Sequence, residues 1–420
     1  MLYAVLLLAS LANNLSFILI DYIRPFLVRD VGFTLTQTSL LYSVQAAGVI
    51  LGSFTTPLLV ARVGPRTGLI IAATMLAAST GSALLIQSFV GWAALRLLVG
   101  IGLAGMYVSS MTLLANAFAA RVRGRLLTFN MSMFSVALLT AGAIGSTIGE
   151  QGWRVLVEVT AVAPAVIAVL VLTCLPRNRP AGPPIAGPAS PAAPALGHAT
   201  WREMFRGRRA QLTLSCLVLA GLNFSGYQFY SGFITTYLTR VRQFDASMVG
   251  YFVSIDGVGT LAGSLLWGWV ADRYGRRAGA LGFGVAALFI GLFLIAPRDA
   301  RILFPLEFGY AVCLSAANSW SAFFAELFPV RLRPMGTSLF HGGHVISLAA
   351  PLIVATVAHS YSLGVGMALA PLTFVVAAVL WWRLPETLTT SPFYRGFDRE
   401  TATEVFARPR PSPQPDGRAG

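Results

Sequence analysis

Lysine is missing from this chain. All 30 of its Lys and Arg residues are arginine, so chemistry that needs a lysine amine, such as a Schiff base, is excluded. Charge of either sign is scarce at 11% of residues, well below what the surface of a water-soluble protein carries. Cysteine is nearly absent. Cys174, Cys216 and Cys313 stand alone in separate apolar runs, which argues against a disulfide framework or a zinc site and leaves them as small apolar residues. No phosphate-cradling loop and no nucleophile with a matching base stands out, so neither an enzyme nor an ATP-driven pump is expected, and no cofactor.

What the chain has is apolar surface. Hydrophobic residues make up 56% of it and the mean hydropathy is +0.71, values of a chain whose solvent is largely lipid. A span needs about 20 mainly apolar residues. The hydropathy pattern predicts twelve, at 2–23, 38–60, 68–88, 92–116, 127–149, 153–175, 211–238, 247–270, 279–297, 302–325, 336–359 and 363–383. The first is too long for a signal-peptide core and lacks a basic head and cleavage site, so it reads as a retained span.

Residues 176–209 break the pattern with proline and alanine, and mark a linker between an N-terminal bundle, 1–175, and a C-terminal bundle, 210–384. At its end WREMFRGRR predicts a short amphipathic helix on the membrane surface. The tail, 385–420, is polar and proline-rich and is expected to be largely disordered.

The net charge of +14 would suggest nucleic acid if it formed a patch on a soluble domain. Here it follows the loops instead. With the termini inside, 22 arginines fall on cytoplasmic segments and seven outside, and Arg96 lies within a span. That bias sets orientation and offers contacts to anionic lipid, with no nucleic-acid partner.

The chain is also internally repeated. GWVADRYGRR, Gly268 to Arg277, has a worn copy in PLLVARVGPR, Pro57 to Arg66, 211 positions upstream, with Gly48, Gly52, Arg62, Gly64 and Arg66 falling on Gly259, Gly263, Arg273, Gly275 and Arg277. A second pair, ANAFAARVR at Ala115 to Arg123 and AELFPVRLR at Ala325 to Arg333, is offset by 210. Duplicated turns after duplicated apolar runs predict two similar bundles.

The GxxxDRxGRR pattern resembles the cytoplasmic loop signature of the major facilitator superfamily. RLLVGIGLAGM, Arg96 to Met106, resembles its RxxxGxG motif, and the ExFPxRxR turn at Glu326 to Arg333 is similar to that of sugar and organic-acid porters. The PET triplet at Pro385 to Thr387 and NFSGYQFY at Asn223 to Tyr230 loosely resemble sugar-porter segments. The resemblance implies an all-α membrane protein with twelve transmembrane helices in two pseudo-symmetric six-helix bundles around a central cavity that opens to each side in turn. It also implies inner-face networks of acids and arginines that hold the halves together. Where the second half has Asp272 and Glu326, the first has Ala61 and Asn116. We therefore expect one charged cytoplasmic clasp, drawn from Asp272, Arg273, Arg276, Arg277, Glu326, Arg331, Arg62 and Arg66.

Ionisable groups inside spans cost about 2.5–3.5 kcal/mol each on insertion scales and invite a functional reading. Asp256, about three turns into the eighth span, is the expected proton site, with Glu307 and Asp21 as weaker candidates. Asp21 precedes Arg24 by three residues, a helical ion-pair spacing. Organic-acid porters carry acids in their first helix where this chain has Asn13 and Ser16. Arg96 is the candidate for attracting a carboxylate, with outward snorkelling as the bland alternative. Asn223, Tyr227, Gln228 and Tyr230 are candidates for binding a polar solute. His341 and His344, in FHGGH, have no acidic or cysteine partner following them, so no metal is expected.

The expected function is a monomeric secondary transporter of a bacterial inner membrane, termini cytoplasmic, taking in an organic acid or similar metabolite with protons. A proton-coupled efflux antiporter and a non-transporting membrane sensor are the alternatives; AGAIGSTIG in the fifth span lacks the Gly-Pro pair of the antiporter motif.

Overall fold

The computed structural model describes residues 1–118, 126, 129–175, 201–329, 332–399 and 403–404. The helices are α1 (Leu2–Phe26), α2 (Leu35–Val63), α3 (Pro65–Ser82), α4 (Phe89–Ala117), α5 (Met133–Ile148), α6 (Gly152–Cys174), α7 (Gly207–Arg240), α8 (Ala246–Tyr274), α9 (Gly279–Ile295), α10 (Ala300–Glu326), α11 (333–360) and α12 (Leu363–Arg383). Each is long and apolar enough to cross a bilayer, alone or, for α5 and α6, within one apolar run that turns at Gly149–Gln151. The twelve-helix expectation is met. The segment WREMFRGRR contributes one helical turn, Trp201–Met204. Residues 176–200 of the expected linker and 405–420 of the tail lie outside the described residues.

The repeat is explicit in local geometry. Helices α2 and α8 are each 29 residues long and keep the 211-residue offset at both ends. Each starts at a side-chain cap: Thr34 and Gln37 form a reciprocal capping box, and the Asp245 carboxylate accepts from Met248 N at 2.7 Å. Each stops at a glycine of positive φ, +82° at Gly64 and +109° at Gly275, a backbone that other L residues rarely adopt.

The two turns then do the same job. The Arg66 guanidinium donates to Leu172 O (2.8 Å) and Leu175 O (3.1 Å) at the end of α6. Arg277 donates to Trp382 O at the end of α12 and lies over the Trp382 ring. Each arginine satisfies the last carbonyls of the sixth helix of its own bundle, groups a helix cannot satisfy itself.

The loops carrying these arginines define a basic end of the molecule; the opposite, far end carries the turns near residues 30, 150, 243 and 298. A buried cluster around Phe283, Trp320 and Trp381 fills the second bundle. Of two clusters in the first bundle, one also takes in Ala246 and Val253 of α8. The bundles thus share a core toward the far end.

There α5 and α8 meet through glycines: Gly142 against Ser254 and Gly250, Gly145 against Gly250, and Gly257 against Ser135 and Leu139, with no room for a Cβ at these positions. Ser43 of α2 donates to Leu348 O of α11 at 2.6 Å. Eleven residues further along the same faces the bundles have parted. Gly268 of α8 has nothing within 4 Å of where a Cβ would stand, and Phe54 of α2 is 70% exposed.

Two of the second-bundle helices are interrupted. Helix α10 passes through a tighter 3₁₀ stretch at Ser315–Ser319. Helix α11 is made of Arg333–Gly342, His344–Ser347 and Ala350–Ser360.

Candidate functional site

The far-end closure is built on a proline. Pro25 has no N–H to bond the carbonyl one turn earlier, so Asp21 O is free to accept from Thr235 Oγ1 of α7 at 2.8 Å. On the same turn the Asp21 carboxylate pairs with Arg24 at 2.9 Å and accepts from Gln228 Nε2 at 3.1 Å. Arg24 also donates to Gly232 O and lies over the Phe233 ring at 4.0 Å. Asp21 and Arg24 are 4% and 0% exposed. The i,i+3 ion pair expected from sequence is present, and it is one side of a four-way tie between α1 and α7. Gln228 is thereby engaged with Asp21.

Beside that tie is a small chamber of about 30 Å³, room for a water molecule. Its walls include Asp21, Tyr227, Ser231, Asp256 and Glu307, so all three candidate acids share it. Asp256 is buried, and its nearest polar partner is Thr260 Oγ1 at 3.3 Å. Glu307 is buried and accepts from Tyr230 OH at 2.6 Å. Beside it Ser231 and Tyr310 share a 2.7 Å hydrogen bond, and the Tyr230 and Tyr310 rings meet edge to face at 4.7 Å. Among the described residues neither Asp256 nor Glu307 has an arginine partner, whereas Asp21 does. The sequence gives no sign of Ser231, Thr235 or Tyr310 in these positions; the one available signal is Pro25.

Arg96 is 1% exposed and faces protein rather than lipid, so it does not snorkel outward. Its Nη1 donates to Gln45 Oε1 at 3.3 Å, its plane lies 5.5 Å from the Trp92 ring, and its Nη2 has no hydrogen-bond partner among the described residues. Asp21 is within its electrostatic reach. Asn223 is buried with Oδ1 also unpartnered. His341 and His344 lie nearer the basic end, where His344 stacks on Phe224 at 3.7 Å. No group of three or more metal-binding side chains occurs among the described residues.

At the basic end Asp272, Arg276 and Glu326 of the second half form one cluster among the described residues. Arg276 binds Glu326 through two nitrogens, at 3.1 and 3.3 Å, and Asp272 at 2.9 Å. Thr387 donates to the same Glu326 carboxylate at 2.5 Å. Glu386 of the PET triplet is 1% exposed. Its carboxylate accepts from the backbone N–H groups of Arg276 and Arg277, at the positive end of the turn that opens α9, and from those of Thr387 and Leu388 in its own segment, at 2.9–3.0 Å. Arg273, with Asp272, lines a 620 Å³ surface hollow between the basic end of α8 and the segment at Thr390 and Pro392. Arg62 is exposed and makes no ion pair among the described residues, and Arg331 lies outside them. In this conformation no bond of Asp272, Arg276 or Glu326 among the described residues reaches the first bundle, consistent with the separation at that end.

A family model described as Major Facilitator Superfamily matches residues 6–255 and 216–410. The sialic acid transporter NanX of Escherichia coli (strain K12) is 23% identical over 377 residues, covering 88% of this chain and 89% of the relative. The cis,cis-muconate transport protein of Acinetobacter baylyi is 24% identical over 393 residues, covering 89% and 91%. A solved bacterial homolog to the human lysosomal transporter Spinster, in an inward-facing and unoccupied conformation, matches with a TM-score of 0.75 at 15% identity, covering 91% of this chain and 95% of that one. Two repeated six-helix bundles, their signature turns and a match spanning almost the whole membrane portion place this chain in the Major Facilitator Superfamily.

Proposed function

We propose that this protein is a proton symporter that carries a small organic acid into the cell by alternating access, with both termini cytoplasmic. The observation that carries this reading is the contrast among three buried acids around one chamber. Asp21 is compensated by Arg24, whereas among the described residues Asp256 and Glu307 hydrogen-bond only with hydroxyl groups. A carboxylate buried without a fixed cation needs a mobile one. A proton arriving through the chamber fits that need, and Asp256 is the carrier in this reading, with Glu307 beside it.

The rest of the geometry supports the cycle. The basic end, taken as cytoplasmic from its arginine bias, is open, and the far end is closed by the α1–α7 tie and the α5–α8 glycines. In the opposite state the second-half cluster of Asp272, Arg276 and Glu326 closes against the first bundle, where exposed Arg62 is the partner in this reading. An acidic solute is favoured by the uncommitted Arg96 nitrogen in the bundle interior, and two relatives are named for acids.

The test is uptake of labelled carboxylates into vesicles holding the purified chain, with an acidic exterior. Accumulation that collapses with a protonophore supports symport. Export against the proton gradient makes it an antiporter, and no movement makes it a sensor.

A further inference from the structure

Asp256 and Glu307 both stand in the chamber wall without a cation, and a single proton answers for only one of them. Their meeting is set by a glycine. Gly259 of α8 lies against Phe308 O and Ala311 of α10 with no room for a Cβ, and Ser315 Oγ of α10 donates to Thr260 O at 3.0 Å. Asp256 stands about one turn before Gly259, and Glu307 is next to Phe308. The close approach of the two backbones therefore brings both acids to one level, on the wall of the same water-sized chamber.

The surroundings of the pair are apolar or neutral. Ile18, Leu138, Ile234, Phe252 and Val253 supply apolar wall from both bundles, and Tyr227 lines the chamber as well. The polar neighbours are hydroxyl groups: Thr260 on Asp256, Tyr230 on Glu307, and Ser231 with Tyr310 beside them. On α1, Asp21 is already matched by Arg24 and Gln228, and Arg96 reaches Asp21 rather than the pair. Among the described residues no arginine lies within electrostatic reach of Asp256 or Glu307, whereas the two acids lie within reach of each other. They are 5% and 1% exposed. Two carboxylates ionised here would lack water and counter-charge and would also repel one another, a worse arrangement than either anion alone.

We propose that Asp256 and Glu307 each take up a proton before the far end shuts, so that two protons cross with each solute. The inference rests on the symport reading and fixes its stoichiometry. Tyr230 is a positioning residue for the second proton. By donating to one Glu307 oxygen at 2.6 Å, its hydroxyl leaves the other oxygen to carry the proton. The charge balance has a consequence. A monocarboxylate carried with two protons moves one net positive charge inward, so an interior-negative potential drives uptake by itself, by about fiftyfold in accumulation per 100 mV. With one proton the cycle moves no net charge.

Infrared spectra of the full chain in lipid films, taken as the pH is raised, read the two protons without any solute. Two carbonyl-stretch bands of protonated carboxyl groups are expected to disappear, one of them missing from Asp256→Asn and the other from Glu307→Gln. The second measurement uses labelled monocarboxylates that do not cross protein-free vesicles. At equal pH on both sides, their uptake is expected to follow an interior-negative potential, and Glu307→Gln is expected to lose that response while still following a pH gradient. A Glu307 band that persists or is missing at every pH overturns the proposal, and so does a response to potential that survives Glu307→Gln. The two readings fail separately. Proton-driven uptake that ignores the potential removes the second proton and leaves the symporter. Two titrating bands in a chain that moves no acid keep the paired proton sites and remove the symporter.

Discussion

Arg24 shows how much one buried charge can hold. It neutralises Asp21, reaches Gly232 O on the other bundle and covers Phe233. Removing one member of a buried pair strands the other, at about 3–5 kcal/mol, while removing both costs much less. Arg24→Gln should therefore lower thermal stability sharply, and Asp21→Asn with Arg24→Gln should recover most of the loss, as read by melting in detergent. Equal losses in single and double variants would mean the pair is incidental. The three-residue spacing made this pair legible in the sequence. Its partners Gly232, Gln228 and Thr235 lie more than 200 positions away, and no local pattern records which carbonyl a guanidinium will find across a bundle interface. Asp256 was legible for another reason: an acid deep in an apolar run stands out wherever its side chain points. Whether it is paired was not readable, and that pairing separates it from Asp21.

At the scale of helices, the most legible elements were the duplicated ones. Helices α2 and α8 announce themselves by a capping residue, an apolar run and a glycine-arginine turn, each repeated at one offset. The breaks in α10 and α11 were not legible, because the polar residues of Ser315–Ser319 and of FHGGH sit inside runs that are otherwise apolar enough to read as single spans. The turn arginines were expected at a gate, and Arg66 and Arg277 are found bonded to the last carbonyls of α6 and α12. Charge-assisted hydrogen bonds of this kind contribute about 1.5–3 kcal/mol. Arg66→Gln and Arg277→Gln should thus each lower the melting temperature to a similar degree and leave proton coupling intact in vesicles. Loss of coupling without loss of stability would assign them to the gate instead. The glycine contacts of α5 with α8 give a second prediction. Gly142→Leu should wedge the far end apart, so that a cysteine placed by Ser254→Cys, in a chain lacking Cys174, Cys216 and Cys313, reacts faster with a far-side thiol reagent. An unchanged rate would show that the contact does not hold that end closed.

In the whole molecule two repeated bundles are tied at one end by α1–α7 and α5–α8 contacts and, among the described residues, parted at the other, with a chamber at the tied end whose acids differ in their partners. The asymmetry between the halves belongs at this scale. Ala61 stands where Asp272 stands in the repeat, and Asp272 with Glu326 holds Arg276 within the second half. Ala61→Asp should supply the first half with a matching anion and slow the step that opens the basic end, seen as a lower uptake rate with unchanged solute affinity. The central claim is that Asp256 carries the coupling proton, and it is tested most directly in one preparation. Vesicles containing Asp256→Asn are assayed both for gradient-driven accumulation of a transported acid and for its exchange across a membrane without a gradient. The account predicts that accumulation falls at least tenfold while exchange continues. Accumulation at the parent level would contradict it.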